Sequence, residues 1–188
     1  MGDSADATNL GQVYNTNGTA KSTTIFQEAN ASNRGFFKSQ LKSTFRDVLD
    51  GLSNTIAMGE MITDIGDNDK RTTPVNGNSG PTGPLKSTGG ALACETFVDS
   101  DRPLFWDSGA PFTSSAVDNR RGFRWAWGLH LHSGVYTVLP PNRELCFSAN
   151  FHQGEAVCPP SSRHQGGAHV LMGDGAIKFI TDSIDAGN

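Results

Sequence analysis

The most regular alternation of hydrophobic and polar positions lies near the C-terminal end of the chain. Apolar side chains alternate with other residues over 168–172, and the same period of two continues over 177–180, after Asp174-Gly175. A period of two predicts two strands, each with one buried face. Asp-Gly is favoured in a two-residue type I′ turn, in which both central residues need a positive φ. The pattern therefore predicts a β-hairpin, and Gly166-Gly167 lets the chain bend into its first strand.

Other apolar positions predict one short helix and several more strands. The helix is capped by Ser43 or Thr44, continues to Leu49 with its apolar residues on one face, and ends at Gly51. Between 63 and 90 the chain is rich in Asp, Pro and Gly, which predicts a long polar loop. Apolar or alternating runs predict strands at 53–62, 91–98, 122–128 and 135–139.

Composition limits the fold and the partners. The chain has 188 residues, of which 22 are Gly, and a formal net charge of −4. This length allows one domain with a hydrophobic core, and the composition favours strands joined by long turns. We expect a flexible polar segment over 1–34 and a single globular domain over 35–188. The negative charge disfavours nucleic acid as a partner, and no apolar run reaches the ~20 residues that span a bilayer.

Three motif blocks give the chain a family resemblance. His164 and Asp174-Gly175 have the spacing H-X9-DG, while 50–60 resemble a DGTSNT…GE block and 127–146 resemble a W-x-x-G and LPPN…C region. Leu52 stands where the second block usually has Thr. Along the chain these blocks follow the order 50–60, 127–146 and 164–175. With this order they resemble the DUF1559 family of prepilin-like, PulG-like proteins, which is typical of planctomycetes. The matching positions are Asp50, Gly51, Ser53, Asn54, Thr55, Gly59, Glu60, Trp127, Gly128, Pro140, Pro141, Asn142, His164, Gly166, Gly167, Asp174 and Gly175.

The resemblance implies a fold and a role. The expected fold is a pilin-like α+β head with a mainly antiparallel sheet and long loops, and a β-sandwich or jelly roll is the structural alternative. The expected role is a non-enzymatic structural subunit of a type II secretion or type IV pilus-like apparatus, exposed outside the cytoplasmic membrane beside neighbouring subunits. Family members begin with a prepilin leader and a long apolar helix, their membrane anchor. We expect this chain to be the globular part without that helix.

An extracytoplasmic module that binds a solute or a glycan is the alternative function. Its candidate residues are aromatic, because aromatic rings stack on sugars and on partner surfaces: Trp106, Trp125, Trp127 and Tyr136. Core packing is the favoured interpretation, since each Trp buries on the order of 200 Å² when it enters a core.

Residue types that bind metals are present without a recognised ligand spacing. His130 and His132 would share one face of a strand, and His152, His164 and His169 are the other histidines. The acidic residues of the polar loop lack the Gly and Glu positions of a calcium-binding loop. We therefore expect no cofactor. The alternatives are a transition-metal ion at His130 and His132 and a calcium ion near Asp64, Asp67 and Asp69.

Catalytic residue types are also present without a catalytic pattern. The residue types of a triad are supplied by Ser161 or Ser162, His164 and Asp174, but the chain has no G-x-S-x-G sequence. Asn54 and Glu60 are interpreted as polar residues that satisfy backbone groups or stay solvated at the ends of turns and strands. We therefore predict no enzyme activity, and we hypothesise that His164 and Asp174 tie the segment before the hairpin to the sheet.

The cysteines are Cys94, Cys146 and Cys158. In an exported domain two of them can pair, and Cys146 and Cys158 are the best candidates because they flank one loop. Closing that loop would stabilise the fold by roughly 3 kcal/mol in the chain-entropy description. Three reduced cysteines are the alternative.

Overall fold

Short strands joined by long irregular segments dominate the fold. The computed structural model describes residues 35–37, 43–76, 92, 94–113, 120–147 and 156–185. Within these residues the strands form two three-stranded sheets. Their bounds are β1 (Ile56–Gly59), β2 (Val75–Asn76), β3 (Cys146–Phe147), β4 (Ala156–Val157), β5 (Gly167–Met172) and β6 (Ile177–Thr181). The α+β class with mainly antiparallel strands is confirmed. The segment 1–34 lies outside the described residues.

Strand β5 is the centre of the first sheet. It pairs antiparallel with β1 on one side and with β6 on the other. Ala168, Val170 and Met172 are buried, while His169 between them is exposed, as the period of two predicts. Strand β6 differs from the prediction, because Ile177 and Phe179 share the outer face of the sheet with His169 and are exposed.

The turn of the hairpin has three residues instead of the expected two. Gly175 donates its N–H to the carbonyl of Met172 at 3.0 Å, and Met172 donates its N–H to the carbonyl of Ala176 at 2.8 Å. Gly175 has a φ of 90°, whereas Asp174 has no positive φ. This arrangement is a type I turn followed by a left-handed Gly, so the predicted type I′ turn is wrong. The Asp174 carboxylate instead accepts a hydrogen bond from the N–H of Ala176 at 3.0 Å.

Gly167 is fixed by the close approach of β6. A Cβ atom at this position would lie 2.1 Å from the carbonyl oxygen of Ile180. We expect Gly167→Ala to lower the free energy of unfolding by about 1–3 kcal/mol, because the backbone of the hairpin must shift. Gly128→Ala is the control, since its added methyl group would have open space around it. Chemical denaturation measures both, and equal stability of the two variants would contradict the expectation.

Two buried hydrophobic clusters include residues of the second sheet. Strands β2 and β3 run parallel, and β3 and β4 run antiparallel. One buried cluster consists of Val75, Cys94, Trp106, Ala110, Leu139, Cys146 and Val157. The other consists of Leu131, Tyr136, Leu145, Phe147, Ala156 and Cys158.

The disulfide pairing differs from the predicted one. Cys146 is bonded to Cys94, and Cys158 is a free, buried thiol. The reason is the register of β3 and β4, in which Cys146 lies opposite Val157. Neighbouring residues on a strand point to opposite faces, so Cys158 points away from Cys146 and into the other cluster. The predicted Cys146–Cys158 bridge is therefore wrong.

Several predicted elements are shorter than expected or take another form. Residues 122–128 form turns, with Trp125 81% exposed, and 135–139 are irregular. The described part of 91–98 contains a 3₁₀ turn, Glu95–Phe97. Strand β1 is the only part of 53–62 that becomes a strand. The alternation of aromatic residues is thus not enough to make a strand when no neighbouring strand pairs with it.

The predicted helix near Thr44 is one 3₁₀ turn, Phe45–Asp47. The Asp47 carboxylate accepts hydrogen bonds from the N–H and the hydroxyl of Thr44, both at 2.8 Å. Phe45 and Leu49 are exposed, so no buried apolar face stabilises a longer helix. Among the described residues, no helix is long and apolar enough to cross a membrane.

Candidate functional site

Glu60 brings together two segments that are far apart in sequence. It follows β1, and its backbone N–H donates to the carbonyl of His169 in β5 at 2.9 Å. Its carboxylate accepts the Ser162 hydroxyl at 2.8 Å and the backbone N–H of His169 at 3.0 Å. Its own carbonyl accepts the N–H of Ser161 at 2.9 Å. Glu60 therefore joins β1, β5 and the segment 161–164 at the start of the hairpin.

Asn142 holds the same segments from the other side. It accepts the N–H of Ser162 at 2.9 Å through its side-chain oxygen and donates its side-chain amide to the carbonyl of Gly167 at 3.2 Å. Its own N–H donates to the carbonyl of Pro160 at 2.9 Å. Its φ is 62°, a left-handed conformation that Asn tolerates better than most residues. Asn142, the last residue of the LPPN block, thus joins the segment 160–162 to the start of β5 beside Glu60.

Two imidazole rings stand beside the Glu60 carboxylate. The Nδ1 atom of His169 lies 3.3 Å from Oε2, and the Nε2 atom of His164 lies 3.6 Å from Oε1. The two rings meet edge to face at 5.2 Å, and Phe179 packs against the ring of His169 at 5.1 Å. The side chains of His164 and His169 are 62% and 45% exposed, so the cluster is open to solvent.

The surroundings of Glu60 keep its carboxylate charged. Partial burial alone would raise its pKa, but the hydrogen bonds from the His169 N–H and the Ser162 hydroxyl outweigh that effect. The His169 ring and the positive charge of a protonated His164 act in the same direction. The pKa of Glu60 therefore lies below its ordinary value, and the cluster presents an anionic carboxylate between two imidazoles.

The hypothesis that His164 and Asp174 together tie the segment before the hairpin to the sheet is wrong for Asp174. Asp174 lies in the turn beyond β5, whereas His164 lies before β5, and the strand of six residues between them spans roughly 20 Å. The partner of His164 is Glu60. The signal for it was present in the sequence, because Glu60 belongs to a motif block, but spacing alone does not show that β1 lies beside β5.

The acidic residues proposed for calcium are bonded to protein donors. Asp64 accepts hydrogen bonds from Arg120, Thr73 and the N–H of Gly66. Asp69 forms a buried ion pair with Arg71, and Asp67 accepts the N–H of Asp69 at 3.3 Å. These contacts use the carboxylate oxygens within the fold and give no support to a calcium loop.

The pair His130 and His132 is not on a strand. Both residues lie in the short helix α1 (His130–Ser133). His132 is buried, and its ring stacks on Trp127 at 5.4 Å. The strand that was predicted to place both histidines on one face is therefore not formed. His152 lies outside the described residues.

Asp64 makes the stability depend on pH. Burial opposes its ionisation, but the hydrogen bonds from Arg120, Thr73 and Gly66 prevail and hold its pKa below the ordinary value. A folded-state pKa below the unfolded one stabilises the fold above about pH 4, and this contribution is lost as the pH falls through the folded-state value. We expect Asp64→Asn to cost about 1.5–3 kcal/mol at pH 7 and progressively less below pH 4.

Denaturation curves between pH 2 and pH 7 test this expectation. Asp67→Asn is the matched control, because the Asp67 side chain has no ion pair within the described residues. A pH-independent difference between Asp64→Asn and the wild type would show that the charge of Asp64 is not responsible.

The four candidate aromatic residues do not form one surface. Trp106 and Tyr136 are buried in different core clusters, and the indole N–H of Trp106 donates to the carbonyl of Thr73 at 2.7 Å. Trp125 is exposed, and Trp127 lies under the guanidinium of Arg124 at 4.8 Å. Core packing is confirmed for Trp106 and is wrong for Trp125. Since Trp106 and Tyr136 are both buried, these two cannot line a cleft that binds a glycan.

Comparison with known families agrees with the resemblance to DUF1559. A family model described as "Protein of unknown function (DUF1559)" matches residues 1–187. The chain belongs to the DUF1559 family. No curated protein and no solved structure matches it.

The block 50–55 lies at the opposite end of β5 from Glu60. Thr55 accepts the N–H of Gly173 through its carbonyl at 2.8 Å, and its hydroxyl donates to the carbonyl of Gly51 at 3.0 Å. The side chain of Asn54 donates to the carbonyl of Asp50 at 3.1 Å, and the backbone carbonyl of Ser53 accepts a hydrogen bond from the ammonium of Lys178 at 3.0 Å. The block 50–55 therefore supports the turn of the hairpin, while Glu60 supports its base.

Proposed function

We propose that this DUF1559 chain is the non-enzymatic head of a pseudopilin-like subunit, held outside the cytoplasmic membrane by an anchor in the inner membrane. The observation that carries the proposal is the use of the family's polar residues. Glu60 and Asn142 both bond the backbone of β5 and the segment 160–162, and Thr55 bonds the backbone at the hairpin turn. Glu60 and Asn142 hold segments together through their side chains, and Thr55 holds the turn through its carbonyl, as expected of residues with a structural role.

The outer face of the first sheet supports contact with neighbouring subunits. Met58 lies opposite Leu171, and Leu171 lies opposite Ile177, so the three side chains form one row across the strands. Met58 and Ile177 are exposed, Ile177 by 73%, and Phe179 is exposed on the same face. An exposed apolar row of this kind is typical of an interaction surface.

The disulfide supports a location outside the cytoplasm. A bond between Cys94 and Cys146 persists in oxidising compartments and is rare where glutathione keeps thiols reduced. Both sulfur atoms belong to the buried core, so the bond is part of the folded state.

Expression from the natural gene, followed by fractionation and protease treatment of spheroplasts, tests location and anchoring. We expect the protein in the membrane fraction, with its head accessible to external protease. A photo-crosslinking residue at Ile177 is expected to give adducts with pilin-like neighbours, and the same residue at the exposed Asp182 is the control. A protein protected from external protease, or one that gives equal adducts at both positions, would refute the proposal.

A further inference from the structure

We propose that Glu60, His164 and His169 form a binding site for a divalent transition-metal ion of the zinc class. Among the residues that the structure describes, they are the group in which three metal-ligating atoms lie within 4.8 Å of one another. The inference goes beyond the role as a subunit head, because the site would exist in the isolated chain whether or not it enters a filament.

The distances fit one shared ion. Two ligand atoms bound to a tetrahedral zinc ion at about 2.0–2.1 Å lie about 3.4 Å apart. Oε2 of Glu60 lies 3.3 Å from Nδ1 of His169, and Oε1 of the same carboxylate lies 3.6 Å from Nε2 of His164. One ligand atom from each of the three residues lies within 4.8 Å of the other two, so a small rotation of the carboxylate lets one oxygen share an ion with both rings. A small movement of the exposed His164 side chain would bring its Nε2 atom to the same separation from Nδ1 of His169.

The ligands are already oriented by groups around them. The hydroxyl of Ser162 donates to Glu60 and accepts the backbone N–H of His164 at 3.0 Å, so one side chain positions two ligands. Phe179 packs against the ring of His169. Hydrogen-bond partners of this kind hold metal ligands in place, and their loss typically weakens metal binding about 10–100-fold.

The donor set selects the class of ion. Two imidazoles and one carboxylate suit Zn²⁺ and its neighbours in the first transition row, whereas Ca²⁺ and Mg²⁺ prefer a shell of oxygen atoms. Three protein ligands leave at least one coordination position for water. The exposure of both histidines gives an ion access from solvent.

Isothermal titration of Zn²⁺ into protein purified without a His tag and treated with a chelator tests the site. We expect saturation at one ion per chain, and no comparable binding of Ca²⁺ or Mg²⁺. His164→Gln and His169→Gln should each abolish the stoichiometric binding. Ser162→Ala should weaken it about 10–100-fold. The Co²⁺-loaded protein should show visible absorption bands that both His variants lose.

Glu95→Gln is the matched control, since Glu95 is an exposed carboxylate whose ion pair with Arg143 lies outside the cluster. It should bind Zn²⁺ like the wild type. Unfolding curves measured in the presence of chelator show whether each variant is folded. If His169→Gln does not fold, His164→Gln still tests the site. Binding that survives in both His variants, or an absence of saturable Zn²⁺ binding, would overturn the proposal without affecting the membrane and protease results.

Discussion

Replacement of both Cys94 and Cys146 by Ala is expected to lower the free energy of unfolding by about 4 kcal/mol. The bond closes a loop with a sequence separation of 52, and its loss frees that loop in the unfolded chain. Both residues are fully buried, so the substitution also removes packing from the core. Urea denaturation, followed by Trp fluorescence and circular dichroism, measures the difference.

Cys158→Ala is the control that separates the two pairings. Its thiol is free, so its loss should cost much less than the double replacement. Burial raises the pKa of Cys158 to about 11, despite the opposing charge of Arg121. Alkylation of native protein near pH 8 should therefore leave Cys158 unmodified, while unfolded protein should gain one alkyl group. If Cys158→Ala were as costly as the double replacement, the pairing Cys94–Cys146 would be wrong.

The hairpin was predictable because its determinants are local. The alternation over 168–172 requires one buried face, and the structure buries Ala168 and Val170 on it. The same rule failed for β6, because an alternating pattern does not say which face meets the core. Ile177 and Phe179 lie on the outer face, opposite Leu171 and His169, since the register of the hairpin places them there.

The predictions of the disulfide pairing and of a strand at 122–128 were wrong for a different reason. Both depend on which segments become neighbours, and this is not encoded in local spacing. Cys94 approaches Cys146 through the core, and the segment 122–128 has no strand beside it within the described residues. Sequence distance favoured Cys158, but strand register placed its side chain on the other face of β3 and β4.

The candidate site was predictable in part. The motif blocks supplied Glu60, His164 and Asn142 by name, but their meeting depends on the pairing of β1 with β5, which joins residues 109 positions apart. His169 was a candidate only as one of the histidines, because its place in an alternating strand gave no sign of a partner. The hypothesis from the sequence joined His164 with Asp174 instead, although β5 separates them.

The second large effect concerns the buried ion pair beside the site. Arg71 donates its Nε–H to Asp69 at 2.9 Å and its Nη1–H to the carbonyl of Ser162 at 2.8 Å. Both side chains of the pair are almost entirely inaccessible to solvent. We expect Asp69→Ala to lower the free energy of unfolding by about 3–5 kcal/mol, because it leaves a buried guanidinium without its counter-charge.

The pair Asp99 and Arg102 gives the matched control. It has the same residue types, but the Arg102 side chain is 65% exposed. Water can therefore solvate the guanidinium after Asp99→Ala removes its ion-pair partner, and we expect a much smaller loss of stability. The double variant Asp69→Leu with Arg71→Met should recover much of the loss, because it removes both charges and retains the volume. Because Arg71 also holds the carbonyl of Ser162, this double variant should bind Zn²⁺ more weakly than the wild type even where stability is recovered. Equal losses for Asp69→Ala and Asp99→Ala would show that burial of the pair does not determine its energetic role.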